Sequence, residues 1–242
     1  MIDCEGEIIK VIDETHDVKT LRVKLDEEIE FKAGQYCLLS FPEDGDETEA
    51  RPFTLSNPPT QENPIEFTVK KMGDFTSRLH NLEEGDKINA TGPYGDSLIF
   101  DETIDKDVVF ISGGSGITPF ISAIRLIVEK DLGNNVVLVN SNRTKDDIIY
   151  RSELKRIEDI MRNVRVVNTL TQEIPNDWDG EKGRIDKRII RKYVSYLSKR
   201  LWYICGPPPM VDSMKKILLE MNIKEENIRA EDWQLPGKHD QS

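Results

Sequence analysis

The residues best suited to chemistry in this 242-residue chain form four short strings, and three of them can hold an anion. Ile111-Ser112-Gly113-Gly114-Ser115-Gly116-Ile117-Thr118-Pro119-Phe120 lies between an apolar run and a helical pattern. Its backbone N–H groups therefore converge at a helix start, which is short of acceptors and partly positive. Glycine also admits a phosphate where a Cβ would collide. The spacing is neither the Gly-x-Gly-x-x-Gly fingerprint nor a P-loop, which needs a Lys absent here, and the string alone is equally a tight strand-to-helix turn. Arg51-Pro52-Phe53-Thr54 offers a guanidinium fork, a flat ring and a hydroxyl, and Gly73-Asp74-Phe75-Thr76-Ser77 offers a second helix start with hydroxyls. Read singly, Arg51 fits a surface ion pair and Phe53 a core position at least as well. The fourth string is Cys205-Gly206-Pro207-Pro208-Pro209-Met210.

The elements around these strings divide the chain. Up to about residue 100 the pattern is one of short strands: Glu7–Ile12, Lys19–Leu25 with its clean alternation, Gln35–Ser40, Phe53–Ser56, Ile65–Lys70 and Lys87–Ala90. Turn chemistry such as Asn57-Pro58-Pro59 and Glu84-Gly85-Asp86 separates them, and the acidic stretch Glu43–Glu49 reads as a solvated connection. Strands at this spacing, with one helical piece near Thr76–Leu82, predict an antiparallel six-stranded β-barrel over residues 1–104. From residue 105 to 242 strands at Val108–Ile111, Val136–Val139, Val164–Val167, Trp202–Cys205 and Ile228–Ala230 alternate with helices at Phe120–Lys130, Asp146–Met161, Lys187–Leu197 and Met210–Met221. That predicts an α/β domain with a five-stranded parallel sheet, whose ligands gather at the carboxyl ends of the strands. The glycine turn and the Cys205 turn both fall at that edge.

Composition narrows the function classes. With 37% hydrophobic and 32% charged residues the chain reads as soluble and globular, and no apolar run approaches the roughly 18 residues of a membrane span. Met1-Ile2-Asp3-Cys4-Glu5 lacks the basic start and apolar core of a signal peptide, so a cytoplasmic location is expected. Cys4, Cys37 and Cys205 are distant from one another, which argues against disulfides and excludes a four-cysteine iron–sulfur cluster held by this chain alone. His16, His80 and His239 are scattered, and no metal site is expected. Residues 1–106 carry 11 Lys+Arg against 25 Asp+Glu, whereas residues 107–242 carry 22 against 20. Such a step fits two units with different surfaces and argues against nucleic-acid binding.

Taken together, the strings resemble the ferredoxin–NADP reductase family, the two-domain flavin- and nicotinamide-dependent reductases, over about residues 5–233 and in family order. Arg51-Pro52-Phe53-Thr54 is similar to the family's Arg-x-Tyr-Ser flavin motif, with Phe for Tyr and Thr for Ser. Gly73, Thr76 and Ser77 are similar to its flavin-phosphate motif, and the resemblance adds Val69 and Lys70 to the flavin contacts. Gly113, Gly114, Ser115, Gly116, Ile117 and Thr118 correspond to the nicotinamide-nucleotide turn, to which Arg143, Cys205, Gly206 and Pro207 are added. Glu231-Asp232-Trp233 resembles the family's terminal Glu-x-aromatic, although here Gln234 to Ser242 continue beyond Trp233.

The resemblance implies FAD, with FMN the lesser alternative, and NADH or NADPH. Ser141-Asn142-Arg143-Thr144 leans towards NADPH, and the absence of an Arg from Thr169–Gln172 leans back. It implies hydride transfer between nicotinamide C4 and flavin N5, with Thr54, Cys205 and Glu231 as catalytic residues: Thr54 at N5, Cys205 at the nicotinamide, Glu231 tuning charge or protons. The expected partner is a separate soluble one-electron carrier, such as a ferredoxin or other iron–sulfur protein. The competing reading is a non-catalytic electron-transfer subunit of a larger redox complex. Lys187, Arg188, Arg191 and Lys192 share one helix face, which is either a docking patch for an acidic carrier or an ordinary solvated surface.

Overall fold

The computed structural model describes residues 1–42 and 50–232, the side chain of Asp232 excepted. The acidic stretch Glu43–Glu49 and the expected flavin contact Trp233 lie outside the described residues. The chain divides into two compact units, one of residues 1–101 together with 118–126, the other of residues 102–117 together with 127–242.

The first unit is the barrel. Strands β1 (Ile2–Thr15), β2 (Val18–Leu25), β3 (Tyr36–Ser40), β4 (Arg51–Thr54), β5 (Ile65–Lys70) and β6 (Lys87–Tyr94) pair in the order β4-β3-β6-β1-β2-β5. Every pairing is antiparallel, and a bridge between Leu55 and Phe67 joins the two ends of the sheet. Alternation works as the sequence predicts: Leu21, Val23 and Leu25 of β2 turn into a core shared with Ile8, Leu39, Leu55 and Phe67. One short helix, α1 (Asp74–His80), follows β5. His80 pins it there: Nε2–H donates to the Val69 carbonyl at 2.8 Å, and burial pushes the imidazole pKa down.

The second unit holds a sheet of six strands in the order β10-β9-β8-β7-β11-β12, all parallel. These are β7 (Val108–Gly113), β8 (Val136–Asn142), β9 (Val164–Leu170), β10 (Glu181–Lys182), β11 (Leu201–Gly206) and β12 (Ile228–Asp232). Every residue of β7 and β11 is buried, as strands covered on both faces require. The expected five strands become six because β10 is two residues long, too short to show any periodicity.

The helices are α2 (Thr118–Glu129), α3 (Arg151–Ile160), α4 (Lys187–Tyr193) and α5 (Pro208–Glu220). The single helix predicted over Asp146–Met161 is interrupted. A 3-10 turn at Lys145–Asp147 gives way to Ile148, Ile149 and Tyr150, all buried, with Tyr150 at φ 57°. Burying three consecutive side chains is incompatible with one helical face, so α3 starts only afterwards. The helix predicted to Leu197 stops at Tyr193, and α5 begins at Pro208, where a missing N–H costs nothing. No helix among the described residues is long and apolar enough to cross a membrane.

Candidate cofactor-binding sites

In the barrel, two of the strings meet. β4 carries Arg51, Phe53 and Thr54, all half-buried, and leaves Pro52 exposed. The Phe53 ring stacks on Phe75 of α1 with centroids 6.0 Å apart and planes at 15°. The Arg51 guanidinium lies 5.8 Å from the same Phe75 ring and donates to the Ala50 carbonyl at 3.3 Å. A guanidinium fork of this kind suits an anion.

Beside it, Gly73 adopts φ 144° with nothing within 4 Å of where a Cβ would stand. That is the open cradle a phosphate requires. The Thr76 hydroxyl closes the loop, accepting from the Met72 N–H at 2.7 Å and donating to the Gly73 carbonyl at 3.1 Å, while the Ser77 N–H bonds to the same carbonyl. Val69 and Lys70 are differently placed. The Val69 side chain is in the core, and Lys70 forms an ion pair with Asp17.

In the α/β unit the glycine turn and the Cys205 turn interlock. A Cβ on Gly116 would stand 2.3 Å from the Cys205 carbonyl oxygen, and one on Gly113 would stand 2.6 Å from Met210 Sδ and 3.1 Å from Pro207 Cδ. Gly206, at φ 158°, faces the Gly113 backbone. The glycines expected to admit a phosphate are thus mostly required by the protein itself. Gly114 is the exception, at φ 54° with open space around it. Ser115 is half-buried, Thr118 and Ile117 are buried, and Pro207 and Arg143 are exposed at the same carboxyl edge.

Cys205 and Glu231 are register partners on β11 and β12 and therefore point to one face of the sheet. Following the register inward, Cys205 pairs with Ser112, Ser112 with Asn140, and Asn140 with Asn168. Hydrogen bonds run along this row: Ser112 Oγ donates to Asn140 Oδ1 at 2.9 Å, and Asn140 Nδ2 donates to Asn168 Oδ1 at 3.2 Å. Polar side chains thus occupy one register row across five strands of the sheet. Sequence reasoning missed Ser112, Asn140 and Asn168 as a group. The signal was present, since each is the first polar residue after a run of apolar ones, at matching positions in Val108–Gly113, Val136–Asn142 and Val164–Leu170. Cys4 and Cys37 belong to the barrel and are free thiols; burial pushes Cys37 up to about 12 and raises Cys4.

Comparisons with known proteins match both units. Residues 5–98 match the oxidoreductase FAD-binding domain and residues 110–216 the oxidoreductase NAD-binding domain. The chain is 30% identical over 235 residues to the reductase component of phenol 2-monooxygenase from Pseudomonas sp. strain CF600, covering 95% of this chain and 65% of that protein. It is 29% identical to the sulfhydrogenase 1 gamma subunit of Pyrococcus furiosus, covering 85% of this chain and 69% of that one. Among solved structures, a ferredoxin reductase in carbazole 1,9a-dioxygenase superposes with a TM-score of 0.82 at 27% identity, over 96% of this chain and 70% of that one. The chain therefore spans about two thirds of the length of the relatives it matches, or less.

Proposed function

We propose that this chain, which belongs to the ferredoxin–NADP reductase family of two-domain flavoproteins, is an NAD(P)H oxidoreductase that passes electrons to a separate one-electron carrier. Residues 1–104 hold FAD, and residues 105–242 hold NADH or NADPH. The observation that carries the reading is the contact of Arg51 and Phe53 with Phe75 of α1, the helix that the open Gly73 precedes, which supports an anion fork and a phosphate cradle in the barrel. When bound, the nicotinamide would supply hydride chemistry and the flavin a centre able to exchange electrons in pairs or singly.

The protein's own residues bind and orient. Arg51 neutralises flavin phosphate charge, with the Gly73–Ser77 backbone as a second donor set and contacts from Val69 and Lys70. Thr54 offers its hydroxyl towards the flavin N5 position. Gly113 to Thr118, with Arg143, Gly206 and Pro207, hold the dinucleotide. Cys205 lines the nicotinamide position, and Glu231 beside it tunes local charge. The carrier is a soluble protein, of the iron–sulfur kind or the oxygenase that relatives' names imply, and the location is the cytoplasm.

The purified chain should be yellow, and NADH or NADPH should bleach it anaerobically. A colourless protein that neither FAD nor FMN reconstitutes sinks the proposal. The similarity to a hydrogenase subunit favours a second reading, a subunit that moves electrons only within a larger complex. Turnover of the isolated chain with an artificial acceptor separates the two.

A further inference from the structure

Helix α2 follows the nucleotide turn in sequence, yet its residues 118–126 cluster with the barrel. Its polar side chains explain the attachment. Ser122 Oγ donates to the Asn57 carbonyl at 2.7 Å, and Arg125 Nη1 donates to the Ser56 carbonyl at 2.9 Å. The same Arg125 nitrogen reaches Glu66 Oε2 at 2.8 Å. Glu66, only 5% exposed, has its other oxygen held by Arg22, at 3.0 Å from Nε and closer still from Nη2. Ser56, Asn57 and Ser122 are fully buried.

These bonds are directed. Ser56 and Asn57 stand two and three residues beyond Thr54, the hydroxyl assigned to the flavin N5 position. Their carbonyls are buried with no strand to pair them at that point, so donors must come from elsewhere, and α2 provides them. Glu66 fixes the donor in turn: a buried carboxylate between two guanidiniums restricts Arg125 to one orientation. Thr118, the first residue of α2 and a candidate nucleotide contact, is rigidly connected to Arg125 through two helical turns.

We propose that Arg125, with Glu66 behind it, is a positioning residue for hydride transfer. Its two bonds lock the segment after Thr54 to α2, and so fix Thr54 relative to Thr118 within one compact unit. This rests on the functional reading above. Neither Arg125 nor Glu66 touches a cofactor in the role assigned here. They act by holding two contact residues in register, and a misplacement of about 1 Å can cost about 100-fold in rate.

The test is anaerobic stopped-flow reduction of the bound flavin by whichever of NADH and NADPH reduces the wild type faster. Arg125→Ala should keep flavin, its absorbance spectrum and its nucleotide affinity within about twofold, while the limiting reduction rate falls about 10–100-fold. Arg125→Lys keeps the charge without the fork and should recover only part of that rate. A purely structural role predicts a lower Tm with an undiminished limiting rate below it, and that result overturns the inference. Should Arg125→Ala fail to fold, Ser122→Ala removes one bond alone and should slow reduction about 3–10-fold; a wild-type rate there overturns the inference too. A wild-type flavin that neither nucleotide reduces overturns the functional reading itself, and is distinguishable because it appears without any substitution.

Discussion

The two cofactor regions are built by opposite means. In the barrel the proposed site is made by side chains: Arg51 and Phe53 lie against Phe75, and Thr76 closes the loop at Gly73, whose Cβ position is open. In the α/β unit the proposed site is made by backbone, where Gly113, Gly116 and Gly206 let two turns pack closely together. The first kind of site can be altered one function at a time. The second tolerates no added atom at Gly113 or Gly116, because its shape there is a contact between two chain segments.

The sharpest way to break this comparison is at Arg51. Arg51→Ala should lose flavin at a cost of about 2–5 kcal/mol in affinity, as for a partner removed from a desolvated charged contact. Circular dichroism should be unchanged, since among the described residues the side chain's contacts are the Ala50 carbonyl and the face of the Phe75 ring. Fluorescence titration with FAD measures the first effect; retained affinity would mean that the barrel does not bind through this side chain.

Next in size is a paired test of the glycines. Gly116→Ala drives a Cβ into the Cys205 carbonyl and should cost about 1–3 kcal/mol of stability, along with nucleotide-dependent reduction. Gly114→Asn should be nearly silent in stability, within about 0.5 kcal/mol, because its position is open and Asn accepts left-handed φ. Equal losses at both positions would remove the distinction between a glycine needed for packing and one left for a ligand.

A smaller effect belongs to Glu181, which also shows what the α/β unit does with its side chains. This buried carboxylate on β10 accepts from Lys192 at 2.6 Å, from Tyr193 at 2.7 Å and from Arg188 at 3.0 Å. The bond from Lys192 chiefly, then those from Tyr193 and Arg188, outweigh burial and hold its pKa at about 2 instead of 4.5. A depressed carboxylate contributes stability that is complete above its unfolded value and disappears as pH falls through the folded one. Thermal unfolding of Glu181→Gln should therefore fall short of wild type at pH 7, and the gap should close between about pH 4.5 and pH 2. The gap is modest because Arg188 and Lys192 are themselves 59% and 56% exposed. A gap unchanged across that window would remove the carboxylate's charge from the account.

What could be read in the sequence follows the same division. Alternation in Lys19–Leu25, the strand–helix alternation after Asp107, and the four strings at their edges were legible because each is a local pattern. The Glu66–Arg125 bond spans 59 residues and joins a strand position to a helix position, and neither residue type signals the other. β10 is invisible for a related reason: two residues pair with β9 only because Glu181 is buried there. A glycine needed by a neighbouring loop and one needed by a phosphate look alike in sequence, so the packing of Gly113 and Gly116 against the Cys205 turn was not legible beside their proposed nucleotide role.

The smallest expected effect concerns the basic face of α4. Its sequence places Lys187, Arg188, Arg191 and Lys192 together, as a patch for steering an acidic carrier would. In the fold, Arg188 and Lys192 are held by Glu181, and Lys187 pairs with Glu220 at 2.7 Å. Reversing Arg188 and Lys192 would unpair a buried carboxylate and confound docking with stability. Arg191 is exposed on the same helix and is the cleaner probe. If side chains in this unit serve structure and not recognition, Arg191→Glu should change carrier reduction at low salt by less than about twofold, since steering needs a field that three compensated cations do not supply. Reduction of a small neutral acceptor, measured alongside, should not change at all. A drop of about tenfold that added salt abolishes would reverse the assignment, making α4 a recognition surface despite its internal ion pairs.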